Sequence, residues 1–128
     1  MGLWDFVLVA RKMLERLDEG RPMTGDEYNF HACILVATAC VYMNRLQASH
    51  WIETEELRTV CFLCLVLAMK YHTDEFVTMS FFLEYSHGMN SEAFMDSEVK
   101  LLKILKFNLF VQEEEINEAL KLIISVSE

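Results

Sequence analysis

The sequence predicts an all-α domain: a bundle of five helices around a buried central helix, followed by a C-terminal helix. Three observations predict it. Apolar residues recur at helical spacing along almost the whole chain. Residues 32–43 are apolar on nearly every side, which is typical of a helix surrounded by others. The 128 residues include only one Pro and four Gly, and 53% of them are apolar, enough for one substantial core.

The first predicted helix begins at Leu3 and ends before Gly20 and Pro22. Trp4 and Leu8 lie on its otherwise polar side. An exposed Trp–Leu pair would form a secondary contact site. A wider buried stripe covered by the sixth helix would instead give the pair a structural role, and the sequence leaves both interpretations open. The residues of the apolar face are Leu3, Phe6, Val7, Ala10, Met13, Leu14 and Leu17.

The second and third helices form the predicted centre of the bundle. Thr24-Gly25-Asp26-Glu27 has the pattern of a capping box and is expected to open the second helix, which runs to about Leu46. Thr54 is expected to cap the third helix, which covers Leu57 to about Tyr71.

Three more helices complete the predicted bundle. A short fourth helix follows Thr78 and stops near Gly88. The fifth runs from about Glu92 to Lys106, residues 107–111 are expected to be extended, and the sixth covers residues 113–126.

Charge and hydropathy argue against two classes of partner. The net charge is −9 and the Lys and Arg residues are scattered, so binding to nucleic acid or to an anionic membrane surface is disfavoured. The longest apolar run, residues 60–69, is far shorter than a membrane span. The N-terminal residues also lack the features of a signal peptide. We therefore expect no nucleic-acid partner and no membrane attachment.

The four cysteines lie inside apolar stretches, at Cys33, Cys40, Cys61 and Cys64. The Cys61-x-x-Cys64 spacing is also found in metal and redox sites. A structural zinc site needs two more ligands at suitable spacing, and a thioredoxin-like motif should follow a strand. Buried thiols are the favoured interpretation, and they suit a reducing compartment, the cytoplasm or the nucleus or both.

No catalytic constellation stands out. The four histidines form no HExxH pattern, and the chain has neither a Gly-rich phosphate loop nor a G-x-S-x-G motif. We expect no catalytic residue, no metal, no cofactor and no small-molecule substrate.

Two charged residues break the helical pattern. Lys70 ends the apolar run of the third helix and projects beside Leu63 and Val66, whereas Glu98 falls between Phe94 and other apolar residues of the fifth helix. A single charge on such a face is costly to bury, and pairing of opposite charges offsets that cost. Three alternatives remain: Lys70 reaches past the helix end, Glu98 reaches solvent sideways, or the pair is purely structural.

These residues resemble the cyclin box. The segment LVLAMKYH, followed by DSEVKLLKILKFNLFV, is similar to the third and fifth helices of that five-helix family. Ala68, Lys70 and Tyr71 match an alanine-x-lysine-aromatic pattern, and Tyr42-Met43-Asn44-Arg45 is similar to the family's tyrosine-x-aspartate-arginine. The resemblance covers roughly residues 3–111. The matching residues of the fifth helix and its exit are Glu98, Leu102, Leu105, Phe107 and Leu109.

The resemblance implies a function. In cyclins the lysine and the glutamate lie together on the surface that grips a cyclin-dependent protein kinase. The chain would then be a regulatory subunit that binds and allosterically activates such a kinase, and not an enzyme itself. The alternative is a non-kinase adaptor or a transcription-associated interaction module with the same fold. The implied kinase-binding residues are Lys70 and Glu98 as polar anchors, with Tyr71, Leu102, Phe107 and Leu109 as apolar contacts.

The chain also departs from the family pattern. Asn44 stands where the family usually has an aspartate, and the first helix lacks the M-R-x-I-L motif that docks substrate peptides. We expect a single cyclin-box domain over residues 1–128, with the box at about 3–111 and the C-terminal helix at about 113–126. This arrangement is most similar to the single-box cyclins of the phosphate-signalling type.

Overall fold

A computed structural model of the chain describes residues 3–17, 24–72, 77–86 and 88–127, with side chains from residue 5 to residue 125 of these ranges. These ranges hold six helices and no strand, which confirms the predicted all-α class. The helices are α1 (Leu3–Leu17), α2 (Gly25–Ser49), α3 (Thr54–His72), α4 (Met79–Leu83), α5 (Ser91–Ile104) and α6 (Glu113–Ser127).

Side-chain caps fix three helix starts. The hydroxyl of Thr24 accepts the backbone N–H of Glu27 at 3.2 Å, as the sequence predicts. The hydroxyl of Thr78 accepts the N–H of Phe81 at 3.3 Å and caps α4 in the same way. The Asn90 side chain does the same for α5, at 2.7 Å. Thr54, in contrast, is the first residue of α3 and not its cap, because the helical turn already closes on the Glu53 carbonyl.

The predicted fourth helix is longer than the observed one. The observed helix α4 ends at Leu83. After this end, the Ser86 hydroxyl donates to the Leu83 carbonyl at 2.8 Å. The same hydroxyl accepts the Met89 N–H at 3.2 Å. This side chain therefore closes the turn after the helix, together with the backbone bonds from the Tyr85 and Ser86 N–H groups to the carbonyls of Phe82 and Leu83.

The centre of the bundle is shared by two helices. α2 packs against α1, α3 and α6, as expected for the central helix. α3 is the more continuously buried of the two, since all eight residues from Phe62 to Met69 are buried. On α2, Cys33, Cys40 and Met43 are only half-buried. The core thus lies between α2 and α3, with the last turn of α3 reaching the surface.

The end of α5 departs from the expected extended chain. The Phe107 N–H bonds the Leu102 carbonyl at 2.8 Å and the Lys106 N–H bonds the Lys103 carbonyl at 3.0 Å. This pair of bonds is a Schellman motif, which requires a left-handed residue after the helix. Lys106 and Phe107 both have φ +57°, so the prediction of extended backbone is wrong at Phe107.

Candidate partner-binding surface

The two charges that break the sequence pattern meet in the structure. The Lys70 ammonium donates to both carboxylate oxygens of Glu98, at 2.9 Å each. The Lys70 side chain is 40% exposed and the Glu98 side chain 17%. The pair therefore lies at the surface and not between two buried faces, because Lys70 occupies the last turn of α3, where the helix leaves the core.

An aromatic ring also holds the Lys70 ammonium. The ammonium lies 5.7 Å from the centroid of the Phe82 ring, within range of a cation–π interaction. Phe82 is fully buried and its ring is nearly parallel to that of Phe94, 6.4 Å away. The Lys70 ammonium is thus held by a carboxylate from α5 and an aromatic ring from α4, while part of the side chain stays open to solvent.

Exposed apolar side chains border the pair on α5. Met95 and Val99 are exposed, and together with Glu98 and Leu102 they follow the i, i+3, i+4, i+7 spacing of one helical stripe. The sequence analysis did not include Met95 and Val99 among the contact residues, although their helical spacing from Leu102 places them on the same stripe. We call the surface formed by Lys70, Tyr71, Met95, Glu98, Val99, Leu102 and Phe107 the α3–α5 face.

The aromatic residues of this face are presented to solvent. Tyr71 is exposed, and its ring packs edge-on against His72 at 5.2 Å between centroids. Phe107 is 66% exposed, in a left-handed conformation that is rare for a bulky residue. Backbone strain of this kind collects at functional sites. The hydrogen bond from Phe107 to Leu102 ties its backbone to the α5 stripe.

Leu109, in contrast, is a half-buried residue of the segment after α5. Its side chain packs against the core, as does that of Leu102. The Tyr42 hydroxyl donates to the Leu109 carbonyl at 2.7 Å. Burial, chiefly, raises the pKa of Tyr42 well above its ordinary value, so the hydroxyl keeps the proton that it donates.

Arg45 fixes the same segment from α2. Its guanidinium donates to the carbonyls of Asn108 at 3.3 Å and Phe110 at 3.0 Å, and it pairs with Glu115 of α6 at 3.2 Å. Tyr42 and Arg45 of α2 together donate hydrogen bonds to the carbonyls of three consecutive residues, 108–110. The three-residue spacing of Tyr42 and Arg45 predicts that their side chains share one face of α2. Their partners lie more than sixty residues away in the chain, so no local sequence pattern predicts these hydrogen bonds.

The proposed secondary contact is described only in part. Leu8 is exposed on α1, whereas the side chain of Trp4 lies outside the described residues. α1 also contacts α6. The structure therefore supplies one exposed leucine at this position and nothing on its predicted partner.

The cysteines carry no feature of a reactive centre. All four are free thiols, and burial raises the pKa of each above its ordinary value, which keeps the thiol protonated and weakly nucleophilic. Within the described residues no three His, Cys, Asp or Glu side chains are grouped to hold a metal ion. None of the described helices is long and apolar enough to cross a membrane.

One comparison with known proteins identifies a family. The family model described as "Cyclin, N-terminal domain" matches residues 24–110, about two thirds of the chain. The matched segment runs from the cap of α2 through the segment after α5 and contains the whole α3–α5 face. No curated protein and no solved structure matches the chain.

Proposed function

This chain belongs to the cyclin family, and from that premise we propose that it is a regulatory subunit that binds and allosterically activates a cyclin-dependent protein kinase. The observation that carries the proposal is the exposed Lys70–Glu98 pair, set among exposed apolar side chains. A charge pair that is preorganised and still open to solvent is suited to hydrogen-bonding another backbone. The apolar neighbours are suited to packing against a partner helix.

The proposed mechanism is a population shift. A protein kinase is active only when its Lys–Glu ion pair and its activation loop are in place. A subunit that binds the active state more tightly moves the equilibrium toward that state, by as much as the difference in affinity allows. In this mechanism the cyclin chain performs no chemistry, and its rigid α3–α5 face supplies the binding energy.

The finer assignments are part of the same proposal. Lys70 and Glu98 act as polar anchors, while Tyr71, Leu102, Phe107 and Leu109 act as apolar contacts. Met95 and Val99 extend the apolar part of the surface. The assignment to the phosphate-signalling type of cyclin is likewise part of the proposal. Free thiols support the cytoplasm or nucleus as its compartment.

A pull-down from source-cell extract tests the proposal. The tagged wild type is compared with Lys70→Glu and with Lys121→Glu. Lys121 is a matched control, because it is an exposed lysine that also pairs with a glutamate, Glu118, at 3.4 Å. We expect wild type and Lys121→Glu to retrieve an active kinase and Lys70→Glu to lose it. Folded wild type that retrieves partners but no kinase would favour the adaptor alternative.

A further inference from the structure

Trp51 is the most exposed large apolar side chain among the described residues. It lies between α2 and α3 and is 86% exposed. An indole in water leaves a large apolar area unburied, and tryptophan is among the residues most enriched in the energetic centres of protein interfaces. The neighbouring Ile52 is half-buried. No sequence pattern predicts this exposure, because a single aromatic residue between two helices breaks no helical periodicity.

Trp51 stands at the edge of a pocket of about 370 Å³. The pocket lies between the end of α2, the start of α3 and the second half of α5. Its volume is near the lower end of the roughly 300–1,000 Å³ range in which proteins hold small ligands. The floor is apolar and consists of Leu46, Ile52, Val60, Leu63, Leu101 and Ile104.

The charged groups at the pocket favour a cationic neighbour. His50 lines the pocket, and so do three charged residues, Glu55 and Glu56 on α3 and Lys100 on α5, so two carboxylates accompany one ammonium. None of the ion pairs found in the described parts of the chain involves these three residues. An exposed indole also attracts a guanidinium or ammonium group through its ring face.

The pocket is separate from the α3–α5 face. At about 100° per residue, Ser97 and Ile104 lie on one flank of the buried stripe of α5, whereas Glu98 and Leu102 lie on the other. On α3, the pocket ends at Leu63, seven residues or about 10 Å along the axis before Lys70. A partner held at the pocket therefore leaves the Lys70–Glu98 pair accessible.

We propose that this pocket docks a peptide segment of a partner protein, with an apolar side chain on the pocket floor and a neighbouring Lys or Arg beside Glu55, Glu56 and the Trp51 ring. The exposed tryptophan favours a protein segment over a small molecule, since it offers contact area outside the pocket. The excess of carboxylate favours a basic segment over an acidic one. This inference does not depend on kinase binding.

A phage-displayed library of random peptides, selected on the folded full chain, tests the proposal. We expect the selected peptides to carry an apolar residue next to Lys or Arg. Trp51→Ser should weaken their binding roughly 30-fold or more, the loss typical of an interface centre. The double variant Glu55→Gln, Glu56→Gln should weaken binding of the basic peptides and flatten its salt dependence. Phe30→Ser is the control, as it removes another exposed aromatic far along α2 and should change nothing.

A direct readout guards against effects on folding. The chain has two tryptophans, so the indole N–H resonance of Trp51 can be assigned by comparison with Trp51→Ser. We expect this resonance to shift on titration with a selected peptide, and the Lys70→Glu variant to bind the peptide as the wild type does. Selection of no peptides, selection of acidic ones, or equal binding by Trp51→Ser would overturn the proposal. Occupation of the pocket by a second copy of the chain, seen as self-association in solution, would overturn it as well.

Discussion

At the scale of the residue, Lys70 shows how one misplaced charge identifies a surface. The ammonium contacts both Glu98 oxygens and the Phe82 ring, yet its side chain remains 40% exposed. Solvent screens such a pair, so its contribution to folding is small. This small contribution to stability is consistent with the proposal that the pair serves to bind a partner.

The first prediction separates these two roles. Replacing Lys70 with Met should lower the free energy of unfolding by no more than about 1 kcal/mol, because the pair is partly exposed. Urea denaturation followed by circular dichroism measures this change. A loss of about 3 kcal/mol or more would instead show that the variant leaves a buried, uncompensated carboxylate, and the pair would be structural.

His72 supplies a prediction about pH at the same scale. Burial lowers its pKa below the ordinary value of 6.5. Below about pH 6.5 the unfolded chain therefore binds more protons at His72 than the folded chain does. The contribution of neutral His72 to stability is complete above that pH and is lost as the pH falls. The Nε2 atom lies 2.9 Å from the hydroxyl of Thr38, which itself donates to the Ile34 carbonyl.

The check compares wild type with His72→Gln in urea at about pH 7.5 and about pH 5.5. We expect wild type to lose more stability than the variant on going to the lower pH, since glutamine does not titrate. Equal losses in the two proteins would show that the His72 pKa is not lowered in the folded state.

At the scale of the element, the segment after α5 is held by a helix distant in sequence. The carbonyls of Asn108, Leu109 and Phe110 accept hydrogen bonds from side chains of α2. The segment has no regular secondary structure of its own. The position of residues 108–110 therefore depends on Tyr42 and Arg45.

Tyr42→Phe tests this dependence. Removing the buried hydroxyl leaves the Leu109 carbonyl without its donor and should cost about 1–2 kcal/mol. Tyr85→Phe is the matched control, because the hydroxyl of Tyr85 bonds Arg16 at an exposed site. Hydrogen exchange should become faster at residues 109–111 in Tyr42→Phe only. Unchanged stability and exchange would show that the bond does not hold the segment.

The end of α5 gives a second prediction at this scale. Lys106 occupies the left-handed position of the Schellman motif, where glycine carries no steric penalty. Lys106→Gly should therefore raise the free energy of unfolding by about 1 kcal/mol. Lys106→Ala, which keeps a Cβ atom, should not. Thermal denaturation measures both, and a destabilised glycine variant would contradict the left-handed assignment.

At the scale of the whole molecule, the sequence predicted features that repeat along one helix and missed features that join distant ones. Helical periodicity located six helices, and two charges that violated it located the Lys70–Glu98 pair. The Tyr42–Leu109 bond joins residues 67 positions apart, so no local pattern encodes it. The pocket beside Trp51 is likewise built by parts of three helices. Met95 and Val99 were overlooked although they share a helical stripe with Leu102, because exposed apolar residues are common on any protein surface.

The whole molecule thus presents a buried α2–α3 centre with two separate surfaces on the flanks of α5. One flank carries the Lys70–Glu98 pair and the other the Trp51 pocket. A net charge of −9 disfavours nucleic acid and favours partners with basic segments at either surface. On this account the α3–α5 face sets the state of a kinase, and the rest of the bundle holds that face rigid.

The most direct test of this central claim is the activity of the retrieved kinase, titrated with purified wild type, Lys70→Glu and Lys121→Glu. We predict that wild type and Lys121→Glu raise kinase activity with the same half-saturating concentration. Lys70→Glu should stay folded yet fail to activate, or require a concentration at least tenfold higher, the equivalent of about 1.4 kcal/mol. If Lys70→Glu activates the kinase as well as wild type does, the Lys70–Glu98 pair is not the anchor of the interface and the proposed mechanism is wrong.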